Sequence, residues 1–432
     1  MEIRLGYSAC WQRCVTISRT VWFSAELVCG GDGSHHLRGS CIADRPLDMK
    51  ILNLILSTVP LLLAAQLLLP GHTRAQTPGA AEALALQQQG KLEEAARAWQ
   101  SVTERNPRDA GAFASLGLVF SKQQKYQQAA SAYKKALALD PKLPGIQLNL
   151  GLAEFKLGRY EAAATPLRAA LLADPTNKQA RALLGLSCYG AKQFVEASKH
   201  LEIAANSDPA NTELRQVLAQ SCLWARNFPC ALDQFRQILQ QNPDSSAAHM
   251  LTGEALDGLG KTSEAMAEFQ AAAKASPREP GVNFGLGYLQ WKLNQYGDAK
   301  LAFETELSVD PANPQALAYL GDIEMKNNDL EKSVPLLKKA VQLKDDIRIA
   351  HADLGAIYMQ QKRYPDALVA LQRAVKLDPA LPETHFRLGR LYQAMGNTPA
   401  ANQEFAKVRE LHKKADEDLL EKMSGSPPPL NP

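Results

Sequence analysis

Residues 148–160 read Leu148-Asn149-Leu150-Gly151-Leu152-Ala153-Glu154-Phe155-Lys156-Leu157-Gly158-Arg159-Tyr160, and the segment continues through Glu161–Ala173 to Asp174-Pro175. Its apolar residues first recur at the three-to-four spacing of one helical face. Gly158-Arg159-Tyr160 supplies a turn. Residues 161–173 form a second helical pattern, which Pro175 closes because proline cannot continue a helix. Gly151 stands in mid-helix, where glycine costs about 1 kcal/mol relative to alanine. A residue that unfavourable points to another backbone approaching closely.

The pattern recurs. Pro107, Pro141, Pro175, Pro209, Pro243, Pro277 and Pro311 are each 34 residues apart; Asp345 takes the next place and Pro379 resumes the series. Gly117, Gly151, Gly185, Gly253, Gly287, Gly321, Gly355 and Gly389 follow the same ruler, interrupted only by Ala219. A third comb of small residues runs from Ala95 to Ala401 with Ser333 in place, and is expected on the facing helix, against the glycine. Pro229, Pro365 and Pro399 share the opening of the second helix, where a missing N–H costs little. One helix pair cannot bury both its faces, so such units must stack on their neighbours.

These combs resemble the tetratricopeptide repeat family. With the glycine at position 8 and the proline at position 32, ten units run 76–109, 110–143, 144–177, 178–211, 212–245, 246–279, 280–313, 314–347, 348–381 and 382–415. Position 17 is aromatic or Leu in eight units, and position 24 carries large residues such as Trp99, Tyr133, Leu167 and Phe303. The family's large position-4 residue is mostly replaced, as in Arg181, Arg215, His249, Asn283, His351 and His385. The resemblance implies an all-α fold: an α-solenoid of about ten stacked helix-turn-helix units in a right-handed superhelix. Lys413 replaces the last proline, so the final helix is expected to run to about Met423, with residues 416–432 forming a helix extension and a Pro-rich tail.

The resemblance also implies that first helices line a concave face through positions 2, 5, 6, 9, 12 and 13. Some co-chaperone members grip a terminal carboxylate there with Lys at position 5 and Asn at position 9; this chain has neither, so that function does not carry over. The candidate groove is instead apolar and aromatic: Leu118, Leu152, Phe155, Tyr189, Leu223, Trp224, Phe284, Tyr288, Trp291, Met325 and Met359. Either these residues pack against neighbouring first helices, or they form a trough for a peptide or helix. Trp224, Tyr288 and Trp291 are expected to frame a gap at Asp257-Gly258.

Apparent chemical motifs dissolve against the repeat. Gly260-Lys261-Thr262 lacks the upstream glycine and strand of a phosphate loop, and Gly260 shares the turn position of Gly90, Gly158 and Gly396. His249, His351 and His385 share position 4 in different units, about 10 Å or more apart, too far to hold one metal ion. No zinc-protease, nucleophile-elbow or paired-carboxylate motif occurs. Ten repeats leave no room for a catalytic domain, so no enzyme, cofactor or metal is expected. Hydrophobic residues at 46% and charged residues at 22% suit a buried core. The 48 basic and 45 acidic side chains leave a net charge of +3, which argues against nucleic acid. The chain reads as a monomeric, non-catalytic scaffold for a protein or peptide partner; the alternative is an accessory subunit of a cell-envelope enzyme or assembly complex.

The N-terminal region reads differently. Met49-Lys50, a nearly unbroken apolar run at 51–69, Pro70-Gly71 and a small Ala75 make a bacterial secretory signal peptide over 49–75. Translation is expected to begin at Met49, with residues 1–48 an unstructured, artefactual extension. The mature chain is then periplasmic or secreted; if the 51–69 segment stays uncleaved it is anchored in the inner membrane. Four of seven cysteines (Cys10, Cys14, Cys29, Cys41) fall in 1–48, at spacings that fit no common zinc pattern. Cys188, Cys222 and Cys230 are expected as buried, unbridged core residues, with Cys222 and Cys230 the better-placed pair should a disulfide form.

Overall fold

The structure is a computed structural model and describes residues 79–424. The leader over 1–48, the segment over 49–75 and the tail over 425–432 lie outside the described residues.

Among the described residues there are twenty helices and no strands, in ten consecutive pairs. The first helices are α1 (Ala80–Gln88), α3 (Ala110–Lys122), α5 (Ile146–Lys156), α7 (Lys178–Gly190), α9 (Thr212–Trp224), α11 (Ser246–Gly258), α13 (Val282–Lys292), α15 (Pro314–Lys326), α17 (Arg348–Gln360) and α19 (Pro382–Ala394). Their partners are α2 (Leu92–Arg105), α4 (Tyr126–Leu139), α6 (Tyr160–Ala173), α8 (Phe194–Ser207), α10 (Phe228–Gln241), α12 (Thr262–Ala275), α14 (Tyr296–Val309), α16 (Leu330–Leu343), α18 (Tyr364–Leu377) and α20 (Thr398–Ser424). Each second helix packs on its own first helix and on the first helix of the next unit. From α3 onward each first helix also touches the next first helix, whereas successive second helices do not pair in this way. The row in mutual contact lies on the inside of the curve, so the first helices form the inner face of an α-solenoid.

The position-8 glycine explains how a pair closes. A Cβ on Gly151 would lie 2.5 Å from Leu167 Cγ, and Leu167 is completely buried. The group pressed on the glycine is therefore the large position-24 side chain, not the backbone expected to be admitted by the small residue of the third comb. The small residue faces the glycine's carbonyl instead: Ser333 Oγ donates to the Gly321 oxygen at 2.7 Å. Both roles are needed, because a bulky group at either place would hold the helices apart.

The turn inside each pair is set by position 15, which is left-handed in all ten units, with φ between 59° and 77°. Four units use glycine there. Six place Gln124, Lys192, Arg226, Asn294, Asn328 or Lys362 in a conformation that costs an L-residue roughly 1–2 kcal/mol. Lys362→Gly is therefore expected to raise stability by about 1 kcal/mol, since the relieved strain outweighs the added freedom of the unfolded chain. Urea denaturation checks this; a midpoint at or below wild type contradicts it.

Most first helices from α3 onward start from a side-chain cap. Asp109, Asn177, Asn211, Ser245 and Asn313 each accept from the amide three residues on. In α13 the cap residue is Gly281, which offers none. Glu306 on α14 reaches back in its place, accepting from Gly281 N at 2.7 Å and Phe284 N at 3.2 Å. Burial pushes its carboxyl above the usual range, and these two amides act against that. Glu306 thereby fixes the start of the helix that carries Phe284, Tyr288 and Trp291.

Cys222 and Cys230 form a disulfide, with Cα atoms 5.8 Å apart, while Cys188 is buried and free. This corrects the expectation of three unbridged thiols. Positions 11 and 19 flank the turn of one hairpin, which brings their Cα atoms within bridging distance.

Candidate functional site

The eleven residues expected in the groove divide by burial. Leu118, Phe155, Tyr189, Leu223 and Phe284 are buried; Leu152, Trp224, Tyr288, Trp291, Met325 and Met359 are half-buried. The aromatic members form two clusters on the first helices.

The first cluster closes a unit junction. Trp224 stacks on Tyr189 at 5.4 Å and lies 4.8 Å from Phe194. Phe194 opens the second helix of the preceding unit, at position 17. One unit further on, the residue equivalent to Trp224 is Gly258, and a Cβ there would lie 2.4 Å from the Phe228 ring. Position 13 is thus the socket against which the preceding unit's position-17 ring rests. Gly258 makes room for that ring; Trp224 meets it with a ring of its own. The expected gap at Asp257-Gly258 does not exist: Phe228 covers Gly258, and the buried Asp257 accepts from Lys292 Nζ at 2.7 Å. Tyr189 is held by its hydroxyl, which donates to Gln220 Oε1 at 2.6 Å, and burial raises its phenol.

The second cluster spans α13 and α15. Phe284 and Tyr288 are 6.3 Å apart, and Tyr288 and Trp291 6.2 Å. Tyr319 joins them, with its ring 5.9, 5.5 and 4.9 Å from Phe284, Tyr288 and Trp291. Tyr319 was absent from the sequence-derived set. It is the one aromatic residue at position 6 of any unit, and that singularity was its available signal. Trp291 is locked edge and face: Nε1 donates to Asp322 Oδ2 at 2.6 Å, and the Lys326 ammonium lies 5.3 Å from the ring centroid. Lys326 also pairs with Asp322. Below this ledge sits Asp353 on α17, buried and bound to Arg387 Nη1 at 3.2 Å. Burial, then the neighbouring Asp322, pushes its carboxyl up to about 7 against the pull of Arg387 and Lys326.

Half-buried rings and two half-buried methionines, Met325 and Met359, on inner-face helices offer apolar contact to an extended or helical segment. Among the described residues no cluster of three His, Cys, Asp or Glu side chains could hold a metal ion, and no helix is long and apolar enough to cross a membrane.

Sequence comparison agrees with the repeat geometry. Tetratricopeptide repeat profiles match residues 80–144, 121–186, 218–280, 284–346 and 383–415, and a TPR repeat profile matches 355–396. No curated protein matches the chain. Among solved structures it is similar to the APC/C hetero-tetramer Cut9–Hcn1, with 14% identity, a TM-score of 0.47, and coverage of 76% of this chain and 79% of that one. It is also similar to yeast Tom70, with 14% identity, a TM-score of 0.39, and coverage of 79% and 92%. A third is YrrB, described as a TPR protein with an unusual peptide-binding site, with 19% identity, a TM-score of 0.33, and coverage of 44% and 97%. With the matched segments tiling most of residues 80–415 and helix pairs continuing through the stretches between them, the chain belongs to the tetratricopeptide repeat family.

Proposed function

We propose that this protein is a non-catalytic interaction scaffold that seats a segment of a partner protein on the inner face of units 7–9. The observation that carries the reading is the ledge of Tyr288, Trp291 and Tyr319, half-buried and continuous across two inner helices. Large rings held rigid before binding lose little entropy on contact, which suits them to act as anchors. We also propose that the chain works outside the cytoplasm. The 49–75 segment motivates this, and the Cys222–Cys230 bridge is in keeping with an oxidising compartment.

The test is affinity capture with the mature chain from extracts of its host, followed by mass spectrometry. Wild type should retain a defined partner that a Tyr288→Ala chain releases. A captured enzyme whose activity requires this chain would favour the accessory-subunit role. Identical capture by wild type and variant would remove the ledge from the reading.

A further inference from the structure

Unit 5 departs from its neighbours twice. Among units 2–10 it alone lacks the position-8 glycine, carrying Ala219 instead, and among the described residues it alone carries a disulfide. The two departures bear on one contact. Where a position-8 glycine faces a position-24 phenylalanine, a Cβ on Gly253, Gly287 or Gly389 would come 2.8, 2.9 or 2.7 Å from the ring of Phe269, Phe303 or Phe405. In unit 5 that Cβ is present, on the completely buried Ala219, and position 24 is the buried Phe235. Its two helices therefore meet around a methyl group that those units exclude. At the turn they are tied by the bond between Cys222, buried at position 11 on α9, and Cys230, half-buried at position 19 on α10.

The bridged loop also carries the rings that join unit 5 to both neighbours. Trp224 meets Tyr189 and Phe194 of unit 4, and Phe228 lies against Gly258 of unit 6. The turn between those rings holds Arg226 in the left-handed region at φ 59°, and the Asn227 side chain accepts from the Cys230 amide only at 3.4 Å. We infer that the Cys222–Cys230 bridge is a redox latch at the middle of the array: oxidised, it keeps units 4–6 in one stack; reduced by a dithiol, it leaves unit 5 a hinge between units 1–4 and units 6–10.

The exchange balances. A thiolate of the dithiol attacks the sulfur of Cys230, the less buried of the two residues, and the bridge breaks with Cys222 leaving as thiolate. The second sulfur of the dithiol then displaces Cys230, so the reductant ends as a disulfide. Two electrons pass to the protein, and the two protons of the dithiol end on Cys222 and Cys230. Two unbonded thiols need van der Waals separation, so the ends of α9 and α10 part and the rings between them lose their seats. A linear array couples only nearest neighbours, so the loss stays at the two junctions. Cys188 takes no part: position 19 of its unit is Glu196, and burial pushes its thiol up to about 11, which leaves little thiolate. The aromatic ledge lies wholly in units 7 and 8, so the inference stands whether or not it binds a partner.

Hydrogen exchange on the full chain, oxidised and after treatment with dithiothreitol, tests it. Reduction should cut protection in α8–α11 roughly tenfold while α3–α6 and α15–α18 keep theirs. Alkylation of the reduced, still-folded chain, read by peptide mass spectrometry, should label Cys230 and Cys222 before Cys188. The double variant Cys222→Ala/Cys230→Ala should show the reduced pattern from the start and no response to dithiothreitol. Equal protection in the two states, a loss spread evenly along the array, or a bridge that yields to dithiothreitol only when the whole chain unfolds overturns the inference. Should the double variant not fold, Ala219→Gly decides: with the closing glycine restored, reduction should cost α8–α11 much less protection, and an undiminished loss overturns it.

Discussion

Trp224→Ala is expected to cost the array roughly 3 kcal/mol, approaching the 3–5 kcal/mol expected for Trp99→Ala. Trp99 sits at position 24 in the first described pair, 6% exposed, with Nε1 donating to Gln87 at 3.2 Å. Its removal leaves a cavity between α1 and α2. Trp224 is less buried, but it lies between Tyr189 and Phe194 at the junction of two central units. Ring pairs of this geometry add about 0.5–1.5 kcal/mol beyond buried area. Position matters too. In a linear array each interface couples only nearest neighbours, so a weakened central junction divides the stack, whereas a weakened end frays it. Urea denaturation followed by circular dichroism should show Trp224→Ala shifted to lower denaturant and less cooperative, with Trp224→Phe recovering much of the loss. A Trp224→Ala chain that unfolds with wild type would return this side chain to the groove.

That expectation reverses the role the sequence suggested for Trp224, and the reason is physical. Repeat spacing states which residues share a position, and it did so correctly for the glycines, prolines and turn residues, because each answers to its own unit's backbone. It does not state what lies opposite a position in the neighbouring unit. Position 13 holds Gly190, Trp224, Gly258, Lys292 and Lys326 in successive units. Only the packed structure shows that Gly190, Trp224, Gly258 and Lys326 meet one surface, the ring that opens the preceding second helix, while Lys292 reaches Asp257 instead. The glycine comb was misread in the same way. Its recurrence predicts a facing backbone admitted by the small residue, whereas the side chains of Leu167 and its equivalents press on the glycine.

The contacts of His249 Nδ1 with Glu268 and of His385 Nδ1 with Glu404, each at 2.6 Å, were closer to legible. His249 and Glu268 are 19 residues apart, as are His385 and Glu404, and no other position-4 histidine has a glutamate at that distance. Reading positions 4 and 23 together would have paired them. The pair that forms the disulfide was legible but its formation was not, because a spacing of eight residues is neutral between a bridge and two separate thiols until the hairpin's width is known.

Tyr288→Ala is expected to weaken partner retention by about 2 kcal/mol, roughly thirtyfold, while costing the fold less than Trp224→Ala does. Tyr288 touches Phe284, Trp291 and Tyr319, yet it is only half-buried, so part of its ring already faces the inner surface. Trp291 is the harder residue to interpret. Its indole N–H is committed to Asp322 and its ring to Lys326, so Trp291→Ala would also remove one partner of the buried Asp322 carboxylate, leaving it with Lys326. Loss of binding there would mix two causes. Trp291→Phe separates them, because it keeps a ring on the ledge and removes only the N–H. If the ring is the anchor, Trp291→Phe should retain most of the binding that Trp291→Ala loses. Should the Asp322 contact matter through stability alone, Trp291→Phe and Trp291→Ala should fall in denaturant midpoint while differing in partner retention. A Tyr288→Ala chain that binds like wild type, with its midpoint lowered as far as that of Trp224→Ala, would make the second cluster a packing seam like the first and leave the partner surface to be sought elsewhere on the array.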